Sequence, residues 1–518
     1  MNSSVSTERD KDFGSVSQTE VLSTEHLIHD IGSRAISGGF VTIGAQGAKF
    51  VLNFAAAAIL ARLLTPRDFG LVGMVLGVTG LVALFKELGL STATVQRNTI
   101  TQQQVSNLFW VNVSFSGILT IISVGLAPLI ARFYQDPSVT GIMMVLSLTF
   151  LLTGSTVQHL ALLNRLMRFR AIATIEVISM LFGFTSACCL AKLGFGYWAL
   201  VAQQLVDAAT GFVLTWYASR WRPSMPKRNS GVRPMLSFGA HLTIADFLGL
   251  FMVNSDSILV GRVFGAASLG LYTRANVLLA RPLRQVLIPI NSVLTPVLSR
   301  LQHDSERYRR TFMHAYEMLA LVTFSFAAMC LALASPLVLV ILGAKWKGVI
   351  PLFSAFAVIA LSWPLSEVAI WLFQSQGRGR EQLYNHSMGG AVALVSYLIG
   401  LHWGPLGVVS AFAITSLAIR LPIVYYFAGR LGPVTTGDLW IAFFSHLPCW
   451  GSVYLTTKLA HMMVKDAAPM IQLLVCVPIG LGAGTILMLL FRRPRQSALY
   501  AWNTVRSSVV RQWSAVTA

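Results

Sequence analysis

The chain has 518 residues, of which 55% are hydrophobic and 11% are charged. A soluble protein carries about 25% charged residues, so this composition excludes a soluble globular class and points to a polytopic, all-α membrane protein. The net charge of +19 does not imply nucleic acid, because a membrane protein carries a basic cytoplasmic face in any case. Cys188, Cys189, Cys330, Cys449 and Cys476 all sit in apolar segments without metal or disulfide spacing, and read as small buried residues.

Residues 1–35 are polar and Ser-rich and lack the apolar core of a signal peptide, so they are expected to form a cytoplasmic, mostly disordered tail. His26 and His29 there, beside Glu25 and Asp30, fit a short surface helix rather than a metal site. Apolar runs of about 20 residues, the length a bilayer requires, then recur fourteen times. They lie near 37–61, 69–95, 105–131, 138–163, 171–191, 197–218, 235–260, 268–298, 312–334, 348–374, 382–400, 405–428, 439–458 and 469–491. The loops between them are too short to fold as domains. The expected organisation is an N-lobe of six spans over 36–218, a cytoplasmic linker over 219–234 and a C-lobe of six spans over 235–429. Two further spans occupy 430–491, and a cytoplasmic tail covers 492–518.

Lys and Arg orient this chain. One side of the membrane collects 24 of them, counting both tails and the loops after the even-numbered spans, and the other side collects 9, with Lys458 at the very end of its span included. The positive-inside rule therefore places both termini in the cytoplasm. The largest cluster, Arg220, Arg222, Lys227, Arg228 and Arg233, becomes the linker between the lobes, where Pro223, Pro226 and Gly231 also break helical structure. Asn164–Arg170, with alternating apolar and basic residues, fits an interfacial segment.

The stretch Asn254–Tyr272 joins two spans, and its Arg262, Leu269, Gly270 and Leu271 repeat Arg62, Phe69, Gly70 and Leu71 at an offset of 200. Two related halves are expected, with a substrate site between them as in repeat-built transporters. Asp256 lies in or at the end of a span, where an acid is a functional candidate by default. With Asn254, Asp246, Asp207 and Glu367 it forms a group of gating or structural polar residues. Gln46, Lys49 and Asn53 share one face of span 1. Arg274, Arg281 and Arg284 share one face of span 8, which Pro282 interrupts. Three arginines on one face are not explained by pairing alone. They fit a water-filled cavity for an anion, because guanidinium binds phosphate bidentately. Lys86 and Glu87 read as a neutralising pair, and for Glu176 and Glu317 pairing and function both stand. No catalytic motif, cofactor motif or metal-ligand spacing is present in the sequence, so no enzyme activity, cofactor or metal is expected.

Asn254-x-Asp256 followed by Gly261, then Leu269-Gly-Leu-Tyr272, resembles the start of the C-terminal lobe in Wzx-type polysaccharide flippases. Ala61–Gly70 and Glu87-Leu-Gly-Leu90 resemble the first-lobe motifs of that group, and the resemblance runs from about Ser37 to Arg492. The group belongs to the multidrug/oligosaccharidyl-lipid/polysaccharide exporter superfamily. The resemblance implies a flippase that moves undecaprenyl-diphosphate-linked oligosaccharide across the bacterial inner membrane by alternating access. The product would feed exopolysaccharide, capsule or O-antigen assembly. Lys49, Arg274, Arg281, Arg284, Gln46 and Asn53 would line its cavity. The implied partners are the lipid-linked oligosaccharide, membrane lipids, and a polysaccharide polymerase with its assembly proteins. A lipid II flippase is the alternative. A cation-coupled drug exporter and a membrane polymerase fit less well, the former because of the span 8 arginines and the latter for want of a substantial periplasmic loop.

Overall fold

A computed structural model describes residues 31–83, 94, 100–227, 233–490 and 495, with the side chains of 31–43, 233–253 and a few others outside the description. The tail with His26 and His29, the Lys86–Glu87 pair, Arg228 and the side chain of Asp246 also fall outside it. Regular structure among the described residues is entirely helical, and nine stretches are long and apolar enough to cross a membrane. Gln102–Tyr134 shows why they belong in lipid. It is apolar, yet Ile118, Ile121 and Leu129 point outward, with Ile121 73% exposed. A helix that is apolar on its outer face requires an apolar solvent. The chain is therefore an integral, polytopic, all-α membrane protein.

The helices start where short-range signals dictate. Thr101 caps Gln102–Tyr134 with Gln104 reaching back, and Thr435 caps Thr436–Met463 with Asp438 reaching back. Thr65 and Asp68 exchange the same bonds ahead of Pro66–Ala83, with Thr65 N donating to Asp68 Oδ2 at 2.9 Å. Each arrangement satisfies backbone N–H groups that the first turn leaves without partners. The helix Arg233–Arg300 is two arms joined at Gly265, whose φ of 78° lies in the left-handed region that favours glycine.

The helices form two compact units. Unit 1 comprises Met1–Leu64 and Val75–Phe251. It holds α1 (Ile31–Leu63), α2 (Pro66–Ala83, from Val75 on), α3 (Gln102–Tyr134), α4 (Ser138–Gly154), α5 (Val157–Arg165), α6 (Phe169–Lys192) and α7 (Tyr197–Ser219), and Val105 and Phe109 of α3, Leu162 of α5 and Trp221 form a buried cluster with Trp216 of α7 packed against it. Small residues bring α6 and α7 together. A Cβ on Gly183 would lie 2.8 Å from the Gln203 carbonyl oxygen and 3.1 Å from the Asp207 Cβ. After α7 the extended segment Trp221–Lys227 lies along α3, held by side chains. Gln102 donates to the Arg222 carbonyl and Gln103 to that of Met225. Trp110 donates to the Ser224 carbonyl, and Asn107 both donates to the Lys227 carbonyl and accepts from its N–H.

Unit 2 comprises Thr65–Met74 and Met252–Ala518. Its helices are α2 up to Met74, α8 (Arg233–Arg300) from Met252 on, with the end of its first arm and all of its second, α9 (Ser305–Ala332), α10 (Ala334–Ile341), α11 (Val349–Ile359), α12 (Trp363–Ser375), α13 (Gly379–Gly400), α14 (Gly404–Thr415), α15 (Leu421–Gly429), α16 (Thr436–Met463) and α17 (Pro469–Leu490). A π-helical turn, Ser416–Arg420, joins α14 to α15. Buried Phe312, Tyr316, Trp371 and Tyr425 fill the interior, and the hydroxyls of Tyr316 and Tyr425 hydrogen-bond each other. The units share a local device. In unit 1 Arg168 donates to the Ala218 carbonyl at the end of α7, and in unit 2 Arg378 donates to the Ala428 carbonyl at the end of α15. A cation at a helix C-terminus satisfies carbonyls that lack partners and complements the helix dipole.

Candidate functional site

In unit 1, Lys49 on α1 pairs with Glu176 on α6, with Nζ 2.7 Å from Oε2. One turn on, Asn53 donates to the Lys49 carbonyl at 2.9 Å and contacts the Met180 sulfur at 3.7 Å. The equal sequence separation of the two contacts means that α1 and α6 run side by side in the same direction. Gln46 is exposed on the preceding turn of α1. Asp207 lies on α7 beside Gly183, within electrostatic reach of Lys49. The structure thus brings Lys49, Asn53 and Asp207 toward one another and adds Glu176, for which the sequence left pairing and function open.

In unit 2, Asp256 is buried on the first arm of α8 and accepts hydrogen bonds from the Tyr272 hydroxyl at 2.8 Å and from the Ser257 N–H. Tyr272 lies on the second arm, so this bond ties the arms together across Gly265. Asn254, two residues from Asp256, is half-buried. The Tyr272 ring packs edge-on against Phe356 at 5.1 Å. No sequence signal marks Tyr272 as the partner of Asp256, although Tyr272 closes the Leu269–Tyr272 motif.

The three arginines of α8 have different surroundings. The Arg274 guanidinium sits 3.8 Å from the Phe69 ring centroid, and Phe69 in turn packs edge-on against Trp346 at 5.4 Å. Arg284 lies 5.6 Å from the Trp363 ring, and the Trp363 indole donates to Glu367 at 3.3 Å. Among the described residues, aromatic faces rather than carboxylates partner Arg274 and Arg284. Arg281 is exposed between them on the same arm, within electrostatic reach of Arg274. An arginine stacked on a ring keeps the edge of its planar fork, which is the part that binds an oxyanion. The sequence missed Phe69 and Trp363, because aromatic residues at helix ends read equally well as interface anchors.

The helical architecture is that of known transporters. The structure resembles "Lipid II flippase MurJ, inward closed conformation" with a TM-score of 0.67 and 13% identity, over 88% of this chain and 99% of that one. It resembles an inward-facing multidrug resistance MATE family transporter of the MOP superfamily with a TM-score of 0.52 and 14% identity, over 77% of this chain and 94% of that one. Among curated proteins, the sequence is 28% identical over 310 residues to the succinoglycan biosynthesis transport protein ExoT of Rhizobium meliloti (60% of this chain, 63% of the relative). It is 27% identical over 315 residues to the lipopolysaccharide biosynthesis protein WzxC of Escherichia coli (60% and 63%). It is 25% identical over 313 residues to the teichuronic acid biosynthesis protein TuaB of Bacillus subtilis (60% and 65%). The chain thus spans less than two thirds of the length of these relatives. A family model described as "Polysaccharide biosynthesis protein" matches residues 59–351, more than half of the sequence. By that match, across both helical units and through the arginines of α8, this chain belongs to the polysaccharide biosynthesis protein family.

Proposed function

We propose that the protein is a flippase that carries an undecaprenyl-diphosphate-linked oligosaccharide across the bacterial inner membrane by alternating access, for exopolysaccharide, capsule or O-antigen assembly. The observation that carries this reading is three arginines, Arg274, Arg281 and Arg284, the last two exposed, on one arm within and at the edge of a stretch apolar enough to cross a membrane, whose candidate span is Asn254–Ile288. A cation exposed within a span belongs in a water-filled space or against an anion. A diphosphate supplies the two-oxygen edges that guanidinium binds best. Membership in a polysaccharide biosynthesis family and relatives named for succinoglycan transport and lipopolysaccharide biosynthesis support the substrate class. In this reading Lys49, Gln46, Asn53, Arg274, Arg281 and Arg284 serve the anion and its sugars. Asn254, Asp256, Asp246, Asp207 and Glu367 position the helices. A polymerase and its assembly proteins receive the product.

The test is surface polysaccharide measured beside protein abundance in the native host. Arg281→Ala abolishes export at normal abundance, and Arg281→Lys, which keeps the charge but loses the fork, gives an intermediate level. Normal export by the double variant Lys49→Ala, Arg281→Ala sinks the reading. The orientation, with both termini cytoplasmic, is tested separately by reporter fusions after Arg233 and Arg310, both of which should report cytoplasm. A second reading, lipid II as substrate, draws on the fold likeness alone. Rescue of cells depleted of their own lipid II flippase would favour it.

A further inference from the structure

The ion pairs Arg309–Asp438, Arg310–Glu306 and Arg378–Glu381–Arg430 lie at helix ends. Lys49–Glu176 differs from them, because both partners sit inside apolar stretches, Gly44–Leu63 and Phe169–Lys192. Its Nζ–Oε2 distance is 2.7 Å, yet the Glu176 side chain is 45% exposed and that of Lys49 is 24% exposed. The pair is formed and also open to exchange. A second carboxylate, Asp207, is within electrostatic reach of the same ammonium.

Among the described residues, the elements packed around this group offer no other nearby charge. The helix α4 has no titratable side chain, and α5 carries His159 and Arg165. On α6 the remaining groups are Arg170 in the first turn and Cys188, Cys189 and Lys192 in the last turns. On α7 they are Tyr197 and Tyr217, at opposite ends. Arg62 stands at the far end of α1. One ammonium therefore faces two carboxylates inside a span. An uncompensated charge there is costly and must be paired, hydrated or neutralised. A metal cation is a poor third partner, because the ammonium already occupies the cation's place beside Glu176 and would repel it. Among the described residues no group of three or more His, Cys, Asp and Glu side chains could hold a metal ion. A proton meets neither obstacle.

We propose that Lys49 is an exchangeable cation. The anionic headgroup takes Lys49 away from Glu176, and the two carboxylates left behind, Glu176 and Asp207, together take up one proton from solvent. No covalent bond changes, and one proton is gained for each headgroup bound. This rests on the flippase reading and assigns its coupling ion, Glu176 being the residue that gives up the ammonium. Linkage makes the effect reciprocal, so that protonation of the carboxylates strengthens binding of the anion by the same factor.

The experiment uses the full chain in nanodiscs with undecaprenyl diphosphate as the probe. Binding is measured at pH 6 and pH 8, and proton uptake is counted with an indicator dye in weak buffer. The wild type should take up close to one proton per bound probe and bind at least fivefold more tightly at pH 6. Glu176→Gln, which removes the hydrogen-bonded partner of Lys49 and leaves only Asp207 within reach, should bind at least fivefold more tightly than wild type at pH 8, with less than half the proton uptake. Weaker binding by Glu176→Gln at pH 8 overturns the proposal. So does binding that requires sodium and ignores pH. A second arm needs no ligand: the infrared band of protonated carboxyl groups at neutral pH should grow in Lys49→Gln and vanish in Lys49→Gln, Glu176→Gln, Asp207→Asn. An unchanged band in Lys49→Gln overturns the proposal even where the substrate is right. A band that responds while wild type fails to bind the probe places the fault in the substrate reading instead.

Discussion

Gly70 and Gly270 lie against one another's helices with no space for a side chain on either. A Cβ on Gly70 would stand 1.6 Å from the Ala266 carbonyl oxygen, and one on Gly270 would stand 1.8 Å from that of Pro66. Positions 66 and 70 correspond to 266 and 270 in the internal repeat, so the contact is reciprocal, each copy's glycine receiving the other copy's first turn. Thr65–Met74 belongs to unit 2, as does Gly270, and this crossing is where that segment is held. Gly270→Ala should force the two backbones apart and lower the melting temperature in nanodiscs, at a cost of about 1–3 kcal/mol or more. Gly73→Ala is the control, since its nearest neighbour, Leu269 Cδ2, is at an ordinary 3.7 Å. Equal melting temperatures for the two variants would disprove the crossing.

The bond from Tyr272 to Asp256 predicts an asymmetric double-mutant cycle. Tyr272→Phe leaves a buried carboxylate short of a donor, at about 1–3 kcal/mol. In Asp256→Asn the side chain keeps its shape and loses its charge, so adding Tyr272→Phe to it should cost less than Tyr272→Phe alone. A coupling of about 1 kcal/mol or more is expected, read from thermal unfolding of the four proteins. Strict additivity would mean that the hydroxyl and the carboxylate do not depend on each other.

Asp438 predicts an acid limit on the packing of α16 against α9. Arg309 donates to it through Nε at 2.9 Å and through Nη2, and Thr435 adds backbone and hydroxyl donors. The Arg309 hydrogen bond is the main cause that holds the Asp438 carboxyl down to about 2, with burial opposing it. A carboxyl whose pKa is lower in the folded protein contributes stability at pH values above its ordinary pKa of about 4. It loses that contribution as the pH falls from about 4 to about 2. Because Arg309 is 53% exposed, solvent screening limits the contribution to about 1 kcal/mol. Asp438→Asn should lower the melting temperature at pH 7 and flatten the decline between pH 4 and pH 2. A wild-type decline that persists unchanged in the variant would assign it to other groups.

The segment Trp221–Lys227 predicts a protease result. Ser106 accepts from the Ser224 N–H at 3.0 Å and its hydroxyl meets that of Ser224, while Asn107 makes two bonds to the backbone of Lys227. Each net bond contributes about 0.5–1.5 kcal/mol, so Ser106→Ala, Asn107→Ala should raise local opening by about tenfold or more. Trypsin reads this at Lys227, because Pro223 protects the bond after Arg222. Cutting at Lys227 should quicken by a similar factor in folded protein. An unchanged rate would show that the side chains of α3 do not hold the segment.

The sequence by itself determined the class, an all-α polytopic membrane protein. A bilayer requires about 20 apolar residues in a row and satisfied backbone bonds. That demand is local in the chain, so runs such as 105–131 and 171–191 declare themselves. The offset of 200 between Gly70 and Gly270 was equally legible, being an order of letters. The contact between those glycines was not, and neither were the partners of the charges. Lys49 meets Glu176 across 127 residues, Arg274 stacks on Phe69 from the other copy of the repeat, and Asp256 finds Tyr272 beyond the turn at Gly265. Sequence periodicity told which residues share a face, as for Arg274, Arg281 and Arg284, but not what each face meets. That depends on how each helix is rotated and how closely its neighbours approach. Rotation and approach are set by small residues such as Gly183 and Gly270, whose role appears only when another backbone lies against them.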